Sequence, residues 1–173
     1  VRMKSLVWHG AMVLALVCVS ASQVRAGANP DAVAALNRGL AALDKNDPRT
    51  ARVELMNAIK ADPALASARV AQARAMLMLG NGASAQDELD RAISLGAQPS
   101  RIRHLLAQAA LLRGQAQDAV KQAEAKDIDP RQAVFAARIA GQGYQALGQY
   151  PAAARAFDRA LTLAPKDPAT WAD

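Results

Sequence analysis

The sequence predicts an all-α fold in which four helical hairpins stack into an α-solenoid, and two observations favour it. First, small residues recur at a period of 34 along the chain. The aligned sets are Gly39, Ala73, Ala107 and Gly141; Ala51, Ala85, Ala119 and Ala153; and Asn46, Gly80, Gly114 and Gly148. Second, the large apolar residues between these positions are spaced by three and four, as on the buried face of an amphipathic helix.

Each unit of 34 residues is interpreted as a first helix, a short turn and a second helix. Two antiparallel helices approach to about 8 to 10 Å only where small side chains meet, which explains the recurring Gly and Ala. Leu55, Leu89 and Phe157 fill the space beside these contacts from the second helices. The units span residues 32–65, 66–99, 100–133 and 134–167, and residues 168–173 begin a fifth, incomplete unit.

The unit 100–133 departs from the pattern in its second half. Lys126 stands where the other units have alanine, and Ala123 replaces the bulky apolar residue. Because both changes remove packing that a second helix needs, we expect a shorter or looser second helix in this unit.

Helix starts are marked by capping residues. The pairs Asn29-Pro30 and Asp47-Pro48 each offer an N-cap followed by a proline at the first helical position. Ser84 followed by Asp87 is similar to a capping box, with Asp in place of the usual Glu or Gln.

The segment Ala140-Gly141-Gln142-Gly143-Tyr144, with Ala153, Phe157, Ala160 and Pro165 after it, resembles the two helices of a tetratricopeptide repeat. Trp171 stands where the next repeat would place its tryptophan. The resemblance covers about four fifths of the chain. It implies a right-handed superhelix whose first helices line a concave, peptide-binding surface.

Residues 1–26 are interpreted as a secretory signal peptide. Arg2 and Lys4 precede an apolar run from Ala11 to Val19, and small residues near Ala26 suit a signal peptidase. A membrane anchor is the alternative, but a span takes about 20 apolar residues and this run is about half that length. Residues 27–31 would form a short leader, and the mature protein would be periplasmic or secreted, without a membrane span.

The charge balance of the mature part does not favour nucleic acid as a partner. Removal of residues 1–26 takes away Arg2, Lys4 and Arg25 and no acidic residue, so the net charge of +6 falls to +3. The remaining basic and acidic residues are interspersed, and aromatic residues for base stacking make up only 3% of the chain.

The sequence predicts neither catalysis nor a metal or cofactor site. Beyond residue 26 the chain has one histidine, His104, and no cysteine, so neither common metal ligand sets nor a Cys/His nucleophile can be assembled. We expect His104 to face solvent on a first helix. We expect the carboxylates Asp87, Glu88 and Asp90 to form a solvated surface near a helix start.

The resemblance places the second, fifth, ninth and twelfth residue of each first helix on the concave surface. The candidate groove residues are Leu36, Leu40, Leu43, Arg74, Arg101, His104, Arg138 and Gln142. This set is apolar in the N-terminal half and basic or amide-rich in the C-terminal half, which suits a protein or peptide with an acidic or carboxylate end. The alternative is that the polar residues are simply solvated and that Leu36, Leu40 and Leu43 pack against a neighbouring segment.

Two functions remain open from the sequence. One is a non-catalytic scaffold of the bacterial cell envelope that binds a peptide or partner helix, for example in pilus assembly, secretion or exopolysaccharide export. The other is a structural spacer, or the N-terminal fragment of a longer export protein, with no groove ligand. Since no capping helix follows residue 167, we expect a partner or further chain to cover the last hairpin.

Overall fold

A computed structural model describes residues 29–164. Within that range the chain forms eight α-helices and one short 3-10 helix, and no strand. The helices are α1 (Pro30–Asp44), α2 (Pro48–Ala61), α3 (Ala66–Met78), α4 (Gly82–Ser94), α5 (Pro99–Leu112), α6 (Ala116–Ala123), α7 (Ala133–Ala146) and α8 (Tyr150–Leu163), and the 3-10 helix is Pro130–Gln132. The predicted signal peptide and the start of a fifth unit lie outside the described residues.

The helices pair in chain order into four hairpins, and the hairpins stack into an all-α solenoid, as predicted. The first helices α1, α3, α5 and α7 also contact one another in succession. They therefore form one layer of the molecule, and any surface that runs along this layer is built from residues of several repeats.

Small residues lie where the two helices of a hairpin cross, which confirms that part of the prediction. A Cβ atom added at Gly39 would lie 2.5 Å from Leu55 Cγ, and one added at Gly141 would overlap the ring of Phe157. Ala51 and Ala85 are completely buried at the matching places of the second helices. The 34-residue period is thus a record of close backbone approach between paired helices.

The turn inside each hairpin explains the third aligned set. Asn46, Gly80, Gly114 and Gly148 all have positive φ, between 56° and 74°. The next amide reaches back to the end of the first helix: Asn81 N–H donates to Met76 O at 2.9 Å, for example. This is the Schellman helix ending, in which the left-handed residue is usually glycine and sometimes asparagine.

The third hairpin has a short second helix, as the sequence predicted. Helix α6 has 8 residues, whereas α2, α4 and α8 have 14, 13 and 14. It ends at Ala123, the residue that replaces the bulky side chain of the other units. Beyond it, the Asp129 N–H donates to Ser100 O at 3.1 Å, and Arg103 donates to the Asp127 carboxylate at 3.0 Å.

Two of the three predicted helix starts are confirmed and one is wrong. The side chains of Asn29 and Asp47 accept hydrogen bonds from the first turns of α1 and α2. At α4, however, the N-cap is Asn81, whose Oδ1 accepts from the Ser84 N–H at 3.0 Å. The helix begins at Gly82, so Ser84 already lies inside the first turn and cannot cap it.

Candidate functional site

The layer of first helices carries two adjoining depressions. The first, called here the N-terminal depression, has a volume of about 550 Å³ and lies between α1, α3 and the start of α5. Its apolar lining includes Leu36 and Leu40 from α1, Ala71 from α3, and Ala97 and Ile102. Leu36 and Leu40 are only partly buried, so this wall presents apolar surface to the groove.

The second depression, called here the central depression, has a volume of about 500 Å³ and lies between α3, α5 and the start of α7. Leu77, Leu105 and Phe135 supply apolar lining. Its polar residues, apart from the arginines described next, are neutral side chains: His104, Gln108 and Gln132. A ligand here would meet apolar surface and neutral hydrogen-bonding groups.

Arg74, Arg101 and Val70 line both depressions and therefore lie on their common border. Arg74 and Arg101 are exposed, and neither guanidinium makes a hydrogen bond or an ion pair with another residue of 29–164. Two cations with free donors thus stand at the centre of the groove, with apolar surface on either side of them.

The arginines on the opposite side of the same helices are paired. Arg69 Nη1 donates to Glu88 Oε2 at 3.0 Å, and this ion pair is largely buried, with side-chain exposures of 14% and 16%. Arg103, 34 residues later, donates to Gln122 at 2.9 Å and to Asp127 at 3.0 Å. These arginines join the first helix to the second half of its own unit.

The carboxylates Asp87, Glu88 and Asp90 are not all solvated. Asp87 and Asp90 are exposed, as expected, but Glu88 accepts from Arg69 and also from Arg91 at 2.9 Å. The prediction is therefore wrong for Glu88, because its position on α4 faces the guanidinium of α3.

His104 is only partly exposed, which corrects the sequence prediction of a solvent-facing side chain. It lies in the central depression with its ring edge-on to Phe135, at a centroid distance of 5.8 Å. Its Nδ1 is buried and has no hydrogen-bond partner in the described part of the chain. Burial, and then the positive charge of Arg74, lower the pKa of His104 to about 4, while Asp129 acts in the opposite direction. The imidazole is therefore neutral at pH 7.

The predicted groove residues fall into three groups. Leu36, Leu40, Arg74, Arg101 and His104 line the two depressions. Leu43 lines neither depression; it is buried and packs in a cluster with Leu55. Arg138 and Gln142 lie further along α7 and line neither depression.

The two depressions differ in polarity: the N-terminal one is mainly apolar, while the central one also carries His104, Gln108 and Gln132. The positive charge that they share lies on their border, at Arg74 and Arg101, and apolar residues continue beyond it to Phe135. Positional counting missed Ile102, Leu105 and Gln132, which also line the depressions. Ile102 and Leu105 are three residues apart on α5, and Gln132 comes from the 3-10 helix. The pair Asp129-Pro130, an N-cap followed by a proline, marks the start of that 3-10 helix in the sequence.

Residues 29–164 offer no candidate metal cluster and no candidate membrane span. Across residues 29–164, no group of three or more His, Cys, Asp or Glu side chains could hold a metal ion. In the same range, no helix combines the length and apolar character needed to cross a membrane.

Comparison with known proteins relates the chain to others by structure. Neither a protein family model nor a curated protein sequence matches it. The crystal structure of the MamA protein is similar, with a TM-score of 0.63 and 24% identity over 79% of this chain and 74% of that one. PilF of Pseudomonas aeruginosa is similar with a TM-score of 0.67 and 18% identity, over 83% of this chain and 66% of that one. Both contain tetratricopeptide repeats, so the solenoid of this chain has a tetratricopeptide-like fold.

Proposed function

We propose that this chain is a non-catalytic protein-interaction scaffold that binds a peptide or a partner helix along the layer of first helices. The observation that carries the proposal is the border of the two depressions, where Arg74 and Arg101 make neither a hydrogen bond nor an ion pair within residues 29–164. Six other arginines of that range are held in ion pairs with carboxylates: Arg38, Arg69, Arg91, Arg103, Arg131 and Arg159.

The apolar walls and the border arginines contribute differently to binding. Leu36, Leu40 and Phe135 offer apolar area, whose removal from water drives association. Arg74 and Arg101 offer charge-assisted hydrogen bonds to a carboxylate, which fix the register of the partner. A protein segment with both apolar and acidic side chains fits this surface.

We place this scaffold in the bacterial cell envelope, in the periplasm or outside the cell. The support is the sequence pattern of residues 1–26, which is typical of a signal peptide. Pilus assembly, secretion and exopolysaccharide export are the envelope processes in which such a scaffold would act. The mass of the chain recovered from the envelope tests the placement: it should begin at Gly27 or Asn29, and a chain that retains Met3 would contradict export.

The test of binding is a pair of double variants with equal change in charge. Arg74→Ala with Arg101→Ala removes the two border cations, while Arg52→Ala with Arg155→Ala removes two exposed arginines of the second helices α2 and α8. Each purified form is used to capture proteins from envelope extract, and the affinity for any captured partner is then measured by calorimetry.

We expect the border variant to lose about tenfold or more in affinity and the control variant to bind as the parent does. The difference should shrink as salt rises, because exposed charges are screened over about 8 Å at physiological ionic strength. If parent, border variant and control bind the same proteins equally well, the border arginines have no role in binding and recognition falls to the apolar wall of Leu36 and Leu40. If replacing that wall by polar residues also leaves binding unchanged, the spacer function should replace this proposal.

A further inference from the structure

We propose that the groove recognises an internal acidic residue, an Asp or Glu of the partner with a large apolar side chain on each side of it. This deepens the proposed function and rests on it. The alternative within the same function is an acidic group at one end of the ligand, such as a C-terminal carboxylate, which the sequence pattern had favoured.

Positive charge is available to a ligand at the border of the two depressions. Arg74 and Arg101 line both depressions and lie on the border between them, so a carboxylate bound to these guanidinium groups lies between the depressions. The neighbouring arginines Arg69 and Arg103 cannot compete for it, because their donors are already bonded to Glu88, Gln122 and Asp127.

Apolar side chains with exposed surface lie on both sides of the border. On one side these are Leu36 and Leu40, and on the other they are Met78 and Phe135. Since apolar surface is present on both sides, a ligand gains most burial when it carries apolar side chains both before and after its carboxylate.

Beyond its two border arginines, the central depression offers a ligand only neutral polar groups. The groups that face His104 are Arg74 and Phe135, with Asp129 close enough to affect it electrostatically. Its neighbours in the depression also include the amides Gln108 and Gln132. At neutral pH this imidazole carries no charge, so the cations of the depression are the two border arginines. Neutral donors away from the border suit the partner's backbone or an amide side chain, whereas a carboxylate is best placed at the border, beside Arg74 and Arg101.

The experiment selects ligands without assuming their spacing. Random 12-residue peptides displayed on phage are selected on the full chain and counter-selected on the Arg74→Ala, Arg101→Ala variant. We expect an acidic residue to be enriched, with Leu, Ile, Phe or Met within four residues on both sides of it.

The best peptide is then synthesised in four forms with fluorescent labels. The parent form has both ends blocked. The second form has Gln in place of the acidic residue, and the third stops at the acidic residue with a free carboxylate. The fourth form begins at the acidic residue with a blocked N-terminus. We expect each of the last three to bind at least about tenfold more weakly than the parent form.

The outcomes separate the two proposals. If the peptide that ends at the acidic residue binds as well as the parent form, end recognition is correct and this inference is wrong, while the groove function stands. If selected peptides lack an acidic residue but still distinguish the parent from the border variant, the inference is likewise wrong. If no peptide prefers the parent chain to the border variant, both the inference and the proposed groove function fail.

Discussion

The first helices α3 and α5 present two faces with opposite chemistry. On the face toward the second helices, alanines are fully buried and the arginines are paired: Ala73 and Ala107 are completely inaccessible, and Arg69 is bonded to Glu88. On the groove face, only one residue away from Ala73, Arg74 is exposed and has no ion pair within 29–164.

The same residue type therefore serves two purposes in one helix. An arginine that closes a hairpin has its donors satisfied by its own chain, so it contributes to stability. An arginine on the groove face leaves its donors to water or to a ligand, so it contributes to recognition. The predictions below test whether stability and binding divide along this line.

The largest effect should follow from a bulky side chain on the hairpin face. Ala73 is completely buried and packs in one cluster with Leu89, so Ala73→Leu should overpack the second hairpin and cost about 1 to 3 kcal/mol. The neighbouring change Arg74→Leu is the control and should stay within about 0.5 kcal/mol, because Arg74 faces the groove. Chemical denaturation measures both, and equal stabilities would contradict the assignment of the faces.

A comparable or smaller effect should follow from removing a paired arginine. In Arg69→Ala, Glu88 loses one partner while still largely buried, and the carbonyl of Pro63 loses its hydrogen bonds from Arg69. We expect a loss of about 1 to 3 kcal/mol, reduced by the bond that Arg91 retains to Glu88. Arg101→Ala, on the groove face, should change the free energy of unfolding by less than about 0.5 kcal/mol. A larger loss of stability for Arg101→Ala than for Arg69→Ala would contradict the assignment of paired arginines to stability and groove arginines to recognition.

The smallest effect concerns pH and the groove histidine. The pKa of His104 is about 4 in the folded chain and 6.5 as an ordinary value, so acid favours the unfolded state, which binds the proton more readily. The contribution of neutral His104 to the free energy of unfolding is complete above pH 6.5 and declines as the pH falls toward 4. The carboxylates with lowered pKa, Asp47, Asp127 and Asp129, lose their contributions to the free energy of unfolding only at lower pH. Melting temperatures between pH 7 and pH 4 should therefore fall less in His104→Gln than in the parent.

The groove face supplies the control for this titration. Arg74→Ala removes the second cause of the lowered pKa but leaves burial, the first cause, in place. An NMR titration of the His104 ring should therefore show a pKa that rises in Arg74→Ala and still lies below 6.5. A pKa of 6.5 in the parent would mean that the ring is solvated, as the sequence alone had suggested.

The sequence by itself determined the architecture and several local features. The 34-residue recurrence of Gly39, Ala73, Ala107 and Gly141 predicted the hairpins, and Ala123 with Lys126 predicted the short α6. Such features depend on contacts within one unit, where the spacing along a helix decides which residues meet. The positive φ of Gly80, Gly114 and Gly148 is also a local feature, because a helix ending is a local structure, but the period had been explained by helix contact and did not predict it.

The exposure and charge pairing of the groove residues could be read only from the tertiary structure, because the groove surface is assembled from helices of different units. Arg74 and Arg101 come from consecutive repeats, and their common position between two apolar depressions follows from how α3 packs on α5. Counting along each helix could not distinguish the buried Leu43 from the groove-lining Leu40, nor a solvated His104 from one half-enclosed beside Phe135. Burial and charge pairing depend on the neighbouring repeat, whereas a helical period indicates only the face of the helix on which a residue lies.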